Sequence, residues 1–175
     1  ILASIGDIYA DLEASQAALD AYTRSRILAR GIDYHFLLLY TDLATASQLR
    51  AAGSLDQAER ALASAESRVS ETSSTMERGL FELETGRLQA ARGDLTAAVD
   101  WLGKAAGHFE ETGQPVETAR ALLHLAVCEF RAGMESPTRS HLVQALRLAN
   151  ELDSPHVLVV AGCDARDLLE KASRP

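Results

Sequence analysis

Gly79 to Glu111 reads GLFELETGRLQAARGDLTAAVDWLGKAAGHFEE, and its reading decides the fold. It holds two amphipathic helical runs, Gly79 to Arg92 and Asp94 to His108, separated by a Gly93-Asp94 turn. Apolar residues recur three and four apart in each run, so each helix has one face that must be covered. Small residues (Gly86, Ala98, Ala105) stand where two helices would have to approach closely. The stretch therefore encodes a helical hairpin that needs neighbours.

Versions of the same unit recur along the chain. Gly6, Ala46, Gly86 and Ala126 lie at intervals of 40, and so do Ala18, Ala58, Ala98 and Thr138. Two more columns keep the register: Tyr22, Leu62, Leu102 and Leu142, then Ser25, Ala65, Ala105 and Ala145. The turn column is Gly53, Gly93 and Gly133, with Glu13 in the glycine's place in the first copy. Self-similarity at a fixed period of this size is the signature of a stacked repeat array.

The period and the start and stop signals together predict an all-α chain of about nine helices. First helices are expected near 1–13, 35–52, 75–92, 115–132 and 155–172, and second helices near 15–31, 55–72, 95–112 and 136–152. Ser54 with Gln57, and Ser74 with Glu77, have capping-box spacing. Pro115 and Pro155 mark helix starts, and Ser136-Pro137 and Ser154-Pro155 place a cap before a proline at the first helical position. The domain expectation is one array with repeats about 1–32, 33–72, 73–112 and 113–152 and a terminal helix at 153–172. The chain opens on Ile1 inside a helical pattern, so a fragment of a longer protein is expected.

Composition narrows the function classes. The 175 residues are 47% hydrophobic and 5% aromatic, with a net charge of −8, and Ala and Leu dominate, which suits helix. The acidic balance argues against direct nucleic-acid contact, which requires a basic stripe to displace phosphate counterions. No apolar run is long enough to cross a bilayer, and the N-terminus carries no basic region followed by an apolar core. Cys128 and Cys163 are too few for a disulfide framework, so a cytoplasmic location is expected.

At the repeated columns the chain resembles the tetratricopeptide repeat. That family's pattern, a small residue, an aromatic and a turn glycine, then Ala, an aromatic or Leu, and Ala, is matched by four segments. They are IGDIYADLEASQAALDAYTRS, TASQLRAAGSLDQAERALASA, TGRLQAARGDLTAAVDWLGKA and LAVCEFRAGMESPTRSHLVQA. The departures are the 40-residue period against the family's usual 34, and Thr138 in an alanine column. The longer unit, and the phrase HLVQALRLANELDSPHVLV, look like the repeats of large LuxR-type and antibiotic-regulatory activators of bacteria.

The resemblance implies a right-handed superhelical solenoid of antiparallel helix pairs whose first helices line a concave face. The implied function is non-catalytic: protein–protein interaction or oligomerisation, within a bacterial transcriptional regulator. On that face the candidate positions are Tyr40, Ser47, Arg50, Leu80, Glu84, Arg87, Arg120, His124, Val127 and Arg131. Arg50, Arg87, Arg120 and Arg131 among apolar neighbours would suit an acidic or amphipathic peptide, because guanidinium groups make forked bonds to carboxylates. The partner class is a protein or peptide, other domains of the same chain included. An effector-sensing role, with a small ligand in the concave groove, is the alternative. The carboxylate clamp of chaperone-binding relatives is disfavoured, since Ala3, Asp7, Ala44, Leu80 and Glu84 occupy its positions.

Chemistry-bearing motifs are weak. No glycine-rich loop precedes a Lys-Ser or Lys-Thr pair. His124 and Cys128 share a helix face but have no third ligand at comparable spacing. Catalytic residues, cofactors and metals are therefore not expected. Exposed Arg on an amphipathic helix commonly serves solubility, and the column Leu43, Leu83 and Leu123 fits core packing. The terminal helix should present Val157, Leu158, Val160, Leu168 and Leu169 as an end-to-end interface, through which a homodimer would form.

Overall fold

A computed structural model describes residues 1–69 and 73–152. Among the described residues there are eight helices and no strand: α1 Leu2–Asp11, α2 Ser15–Gly31, α3 His35–Ala51, α4 Leu55–Glu66, α5 Thr75–Arg92, α6 Leu95–Glu111, α7 Pro115–Arg131 and α8 Glu135–Glu151. The contacts fall into two compact units, Ile1–Glu84 and Thr85–Pro175. In the first, α1 packs on α2, α2 on α3 and α3 on α4; in the second, α6 packs on α7 and α7 on α8. Within each unit these helices lie against the next in sequence order, a packing compatible with a helical solenoid.

The chain reverses between helices by one repeated device. At Gly53, Gly93, Gly113 and Gly133 φ is positive (74°, 85°, 64° and 77°). In each case the glycine N–H donates to a carbonyl three residues back, and the next N–H donates to one five back, as Gly53 to Arg50 (3.0 Å) and Ser54 to Leu49 (2.8 Å) do. Those two bonds satisfy carbonyls that the end of a helix leaves without intrahelical donors. Glu13 and Asp33 make the same turn with φ of 56° and 52°. A side chain in that region costs about 1–2 kcal/mol, which the paired helices on either side must offset.

The columns that repeat in the sequence are the positions the fold buries. Ala18, Ala58, Ala98 and Thr138 are buried, as are Ser25, Ala65, Ala105 and Ala145. Tyr22, Leu62 and Leu102 are buried and Leu142 half-buried. Gly6, Ala46, Gly86 and Ala126 are buried beside them. At Gly86 a methyl group would lie 2.7 Å from Leu102 Cγ and 3.2 Å from the Leu102 backbone nitrogen. At Gly6 it would lie 2.7 Å from Cδ1 of Tyr22. In these two pairs the first helix thus takes a residue without a side chain where the second presses a large one.

Three local expectations differ from the structure. Helix α4 ends at Glu66, six residues before position 72. It stops in a Ser-rich stretch where Ser67 Oγ donates to the Ser64 carbonyl at 2.8 Å, the kind of local bond that competes with the helix. Ser54 precedes α4 without a side-chain cap; its carbonyl accepts from Gln57 N at 3.0 Å instead. Ser74 and Glu77 do form the reciprocal box, with Ser74 N donating to Glu77 Oε2 (2.7 Å) and Glu77 N to Ser74 Oγ (3.2 Å). Helix α8 starts at Glu135, before Ser136, so Pro137 sits at its third residue, where a missing N–H still costs no intrahelical bond. Pro115 opens α7 as expected. The helix expected at 155–172, with Ser154 and Pro155, lies outside the described residues.

Alanine in place of glycine separates packing from propensity. Inside a helix the exchange ordinarily gains about 1 kcal/mol. Gly103→Ala, exposed and with nothing within 4 Å of its new methyl, should therefore raise the thermal midpoint. Gly86→Ala should lower stability by about 1–3 kcal/mol, the cost of overpacking against Leu102. Thermal denaturation of the two variants beside the parent checks both signs.

Candidate functional site

The ten candidate positions of the implied concave face divide between the two units. In the first, Tyr40, Ser47 and Arg50 on α3 and Leu80 on α5 are half-buried, and Glu84 is buried. In the second, Arg87 and Arg120 are half-buried, and Arg131 is exposed. His124 and Val127, expected on an exposed stripe, are instead buried within α7. Val127 packs with Phe130 and Leu142, so this face of α7 is covered by the hairpin's own partner α8.

Charge at these positions is partly committed inside the fold. Arg120 Nη1 bonds Glu117 Oε2 at 2.7 Å, an i,i+3 pair on α7. Tyr40 donates its hydroxyl to Asp7 Oδ1 at 2.8 Å, and Tyr22 donates to the same oxygen at 2.8 Å. One carboxylate of α1 is therefore held by a tyrosine from α2 and another from α3. Burial, followed by the hydrogen bond and charge of Asp7, pushes the Tyr22 hydroxyl well above its ordinary range, so it stays a neutral donor.

Two further polar clusters are not evident from the sequence pattern. Asp42, in α3, has no exposed surface at all and receives three donors. Arg26 Nη1 of α2 lies 3.2 Å away, and Ser64 Oγ of α4 and Arg68 Nε lie 2.8 Å away. A lone Asp inside the run HFLLLYTDLATA was the available signal, since an acid amid buried leucines must find partners. Glu129 of α7 is buried too, and His141 Nδ1 of α8 bonds both its oxygens at 2.9 and 3.0 Å. Both clusters join neighbouring helices, which gives them a structural role.

Cys128 is buried, one turn along α7 from the buried His124. Among the described residues no three or more His, Cys, Asp or Glu side chains gather as a metal site would require. No described helix is long and apolar enough to cross a membrane. Compared with protein-family models and with curated proteins, the chain matches none. What the positions can do chemically rests on each unit by itself: the first holds half-buried Arg50, Tyr40, Ser47 and Leu80, and the second half-buried Arg87 and Arg120, whose guanidinium groups are forked donors. The expected end-to-end face, Val157, Leu158, Val160, Leu168 and Leu169, lies outside the described residues.

Two stability measurements test the polar clusters. Asp42→Ala leaves Arg26 and Arg68 without their shared carboxylate, and should cost about 3 kcal/mol in urea denaturation, in the range for breaking a buried pair. Tyr22 carries a pH signature. Because its folded form holds the proton more tightly, its stabilising effect is complete below pH 10 and declines as the unfolded chain ionises above it. The parent should lose about 1.4 kcal/mol per pH unit there from this group, a slope that Tyr22→Phe removes.

Proposed function

We propose that this chain is a tetratricopeptide-type docking array, non-catalytic and cytoplasmic, that binds a protein or peptide through the first helices of its repeats. The observation that carries the proposal is a division of labour among positions. Apart from the aromatic Tyr22 and the half-buried Leu142, the columns at intervals of 40 are buried small or aliphatic residues that specify helix stacking. The positions between them differ from copy to copy, as Tyr40, Leu80 and Arg120 do at the same register, and they remain accessible in part. A scaffold constant in its packing and variable on its face suits recognition of an extended or helical ligand.

The ligand class follows from the available groups. Arg87, Arg120 and Arg131 supply forked donors, so an acidic, amphipathic segment is the favoured partner. The similarity of HLVQALRLANELDSPHVLV to phrases in bacterial activators supports a place within a transcriptional regulator, docking against other parts of the same polypeptide or an assembly partner.

A displayed library of acidic amphipathic peptides, with fluorescence anisotropy on the selected binders, tests the proposal. Arg87→Glu combined with Arg120→Glu should weaken binding at least about tenfold, or 1.4 kcal/mol, with unchanged far-UV circular dichroism. Selection of no acidic peptide, or an affinity untouched by the double reversal, would overturn it.

A further inference from the structure

Helix α3 carries an aromatic row that its packing leaves open. Tyr34, at its N-cap, is 50% exposed and Phe36 37%. Their ring centroids lie 6.4 Å apart, and the Phe36 ring lies 6.3 Å from that of Tyr40, so the three rings are continuous. Helix α3 has a packed neighbour on each side, α2 and α4, and the row is open in their presence. The register of Phe36 holds Val116 on α7, which is packed by α6 and α8, and Val116 is 40% exposed.

The row ends on a carboxylate. Tyr40 and Tyr22 both donate to Asp7 Oδ1, each at 2.8 Å. The other oxygen, Oδ2, accepts no hydrogen bond from any described residue. Asp7 is half-buried, as are Ser47 and Arg87 in its register. One turn further along α1, Asp11 is exposed, and so are Ala51, Ala91 and Arg131 in the same register. Both positions thus keep the accessibility that their registers have in helices packed on either side.

Charge decides what the row can hold. Residues 1 to 23 contain Asp7, Asp11, Glu13 and Asp20 and no Lys, Arg or His. On α3 the basic residues are His35 and Arg50. His35 lies 3.5 Å from Asp33, and Arg50 stands about 15 Å along the helix from Tyr40 at 1.5 Å per residue. Arg26 of α2 is bonded to Asp42 at 3.2 Å. The face of an aromatic ring is itself electronegative, so ring and carboxylate attract the same kind of group. A guanidinium suits both, because it stacks flat on a ring while its fork donates to a carboxylate, whereas an ammonium acts as a point charge.

We infer that the first unit binds an arginine side chain of a basic peptide, its guanidinium lying on the rings of Phe36 and Tyr40 and donating to Asp7 Oδ2. Tyr22 and Tyr40 hold the carboxylate in place from two helices, so the subsite exists before the ligand arrives. The inference goes beyond the docking of acidic segments, which draws on Arg87, Arg120 and Arg131 of the second unit.

Fluorescence anisotropy of the 175-residue chain with labelled tetra-arginine, tetra-lysine and tetra-citrulline tests it. Tetra-arginine should bind at least about threefold more tightly than tetra-lysine, and tetra-citrulline should not bind. Phe36→Leu keeps an apolar side chain without the ring, and Asp7→Asn keeps an acceptor for both tyrosines without the charge. Each should weaken tetra-arginine at least about fivefold with unchanged far-UV circular dichroism. Glu110→Gln removes the same charge from an exposed position on α6 and should change the affinity by less than about twofold. Three results each overturn the inference: no binding of tetra-arginine at about 1 mM, an affinity untouched by Phe36→Leu, or an equal loss in Glu110→Gln, which marks attraction to net charge alone. Binding of acidic peptides, measured on Phe36→Leu and Asp7→Asn, should be unchanged, so failure of the arginine subsite and failure of acidic-peptide docking are read separately.

Discussion

The rest of the structure depends on how closely two helices approach at the small-residue columns. Where Leu102 meets Gly86 and Tyr22 meets Gly6, the absent side chain on one helix is the space the other fills. Ala98, Ala105 and Ala58, fully buried, hold the same spacing along the second helices. Packing energy falls steeply with a gap of even half an ångström, so these positions admit little variation. The glycine turns serve this constraint, delivering each helix to its neighbour in the same register.

The repeat was legible because it is written twice over, in side-chain volume and in turn chemistry. Gly86, Ala98, Leu102 and Ala105 stand at fixed intervals, and any one copy predicts the others. Helix limits followed wherever a glycine in the left-handed region or a proline closed the element, as at Gly93 and Pro115. They failed at α4, where serines offer the backbone several bonds of similar strength and the pattern contains no single stop. The box at Ser74 and Glu77 formed and that at Ser54 and Gln57 did not, although the spacing is the same. A motif states what is possible locally, and the neighbouring turn decides whether it is used.

The candidate face was less legible. Helix position alone places His124 and Val127 on a surface stripe, yet α7 is packed on two sides and buries both. A helix with two neighbours has little free circumference, and the periodicity of one sequence does not say how much. The Asp42 and Glu129 clusters were missed for a different reason. Their partners come from other helices or the turn after α4, at separations of 12 to 26 residues, and no local pattern encodes such pairs. Only the acid's improbable apolar surroundings marked it.

Asp42 also bears on how the first two repeats melt. In a linear array each repeat touches only its neighbours, and the terminal one is ordinarily the first to fray. Here a carboxylate of the second repeat draws in Arg26 from the first as well as Ser64 and Arg68 from its own hairpin. Opening α2 alone would strip a charged partner from a group with no access to water. The boundary between the two repeats is thereby made expensive to break, and they form one cooperative folding unit, a linkage written in charge where the array otherwise relies on shape.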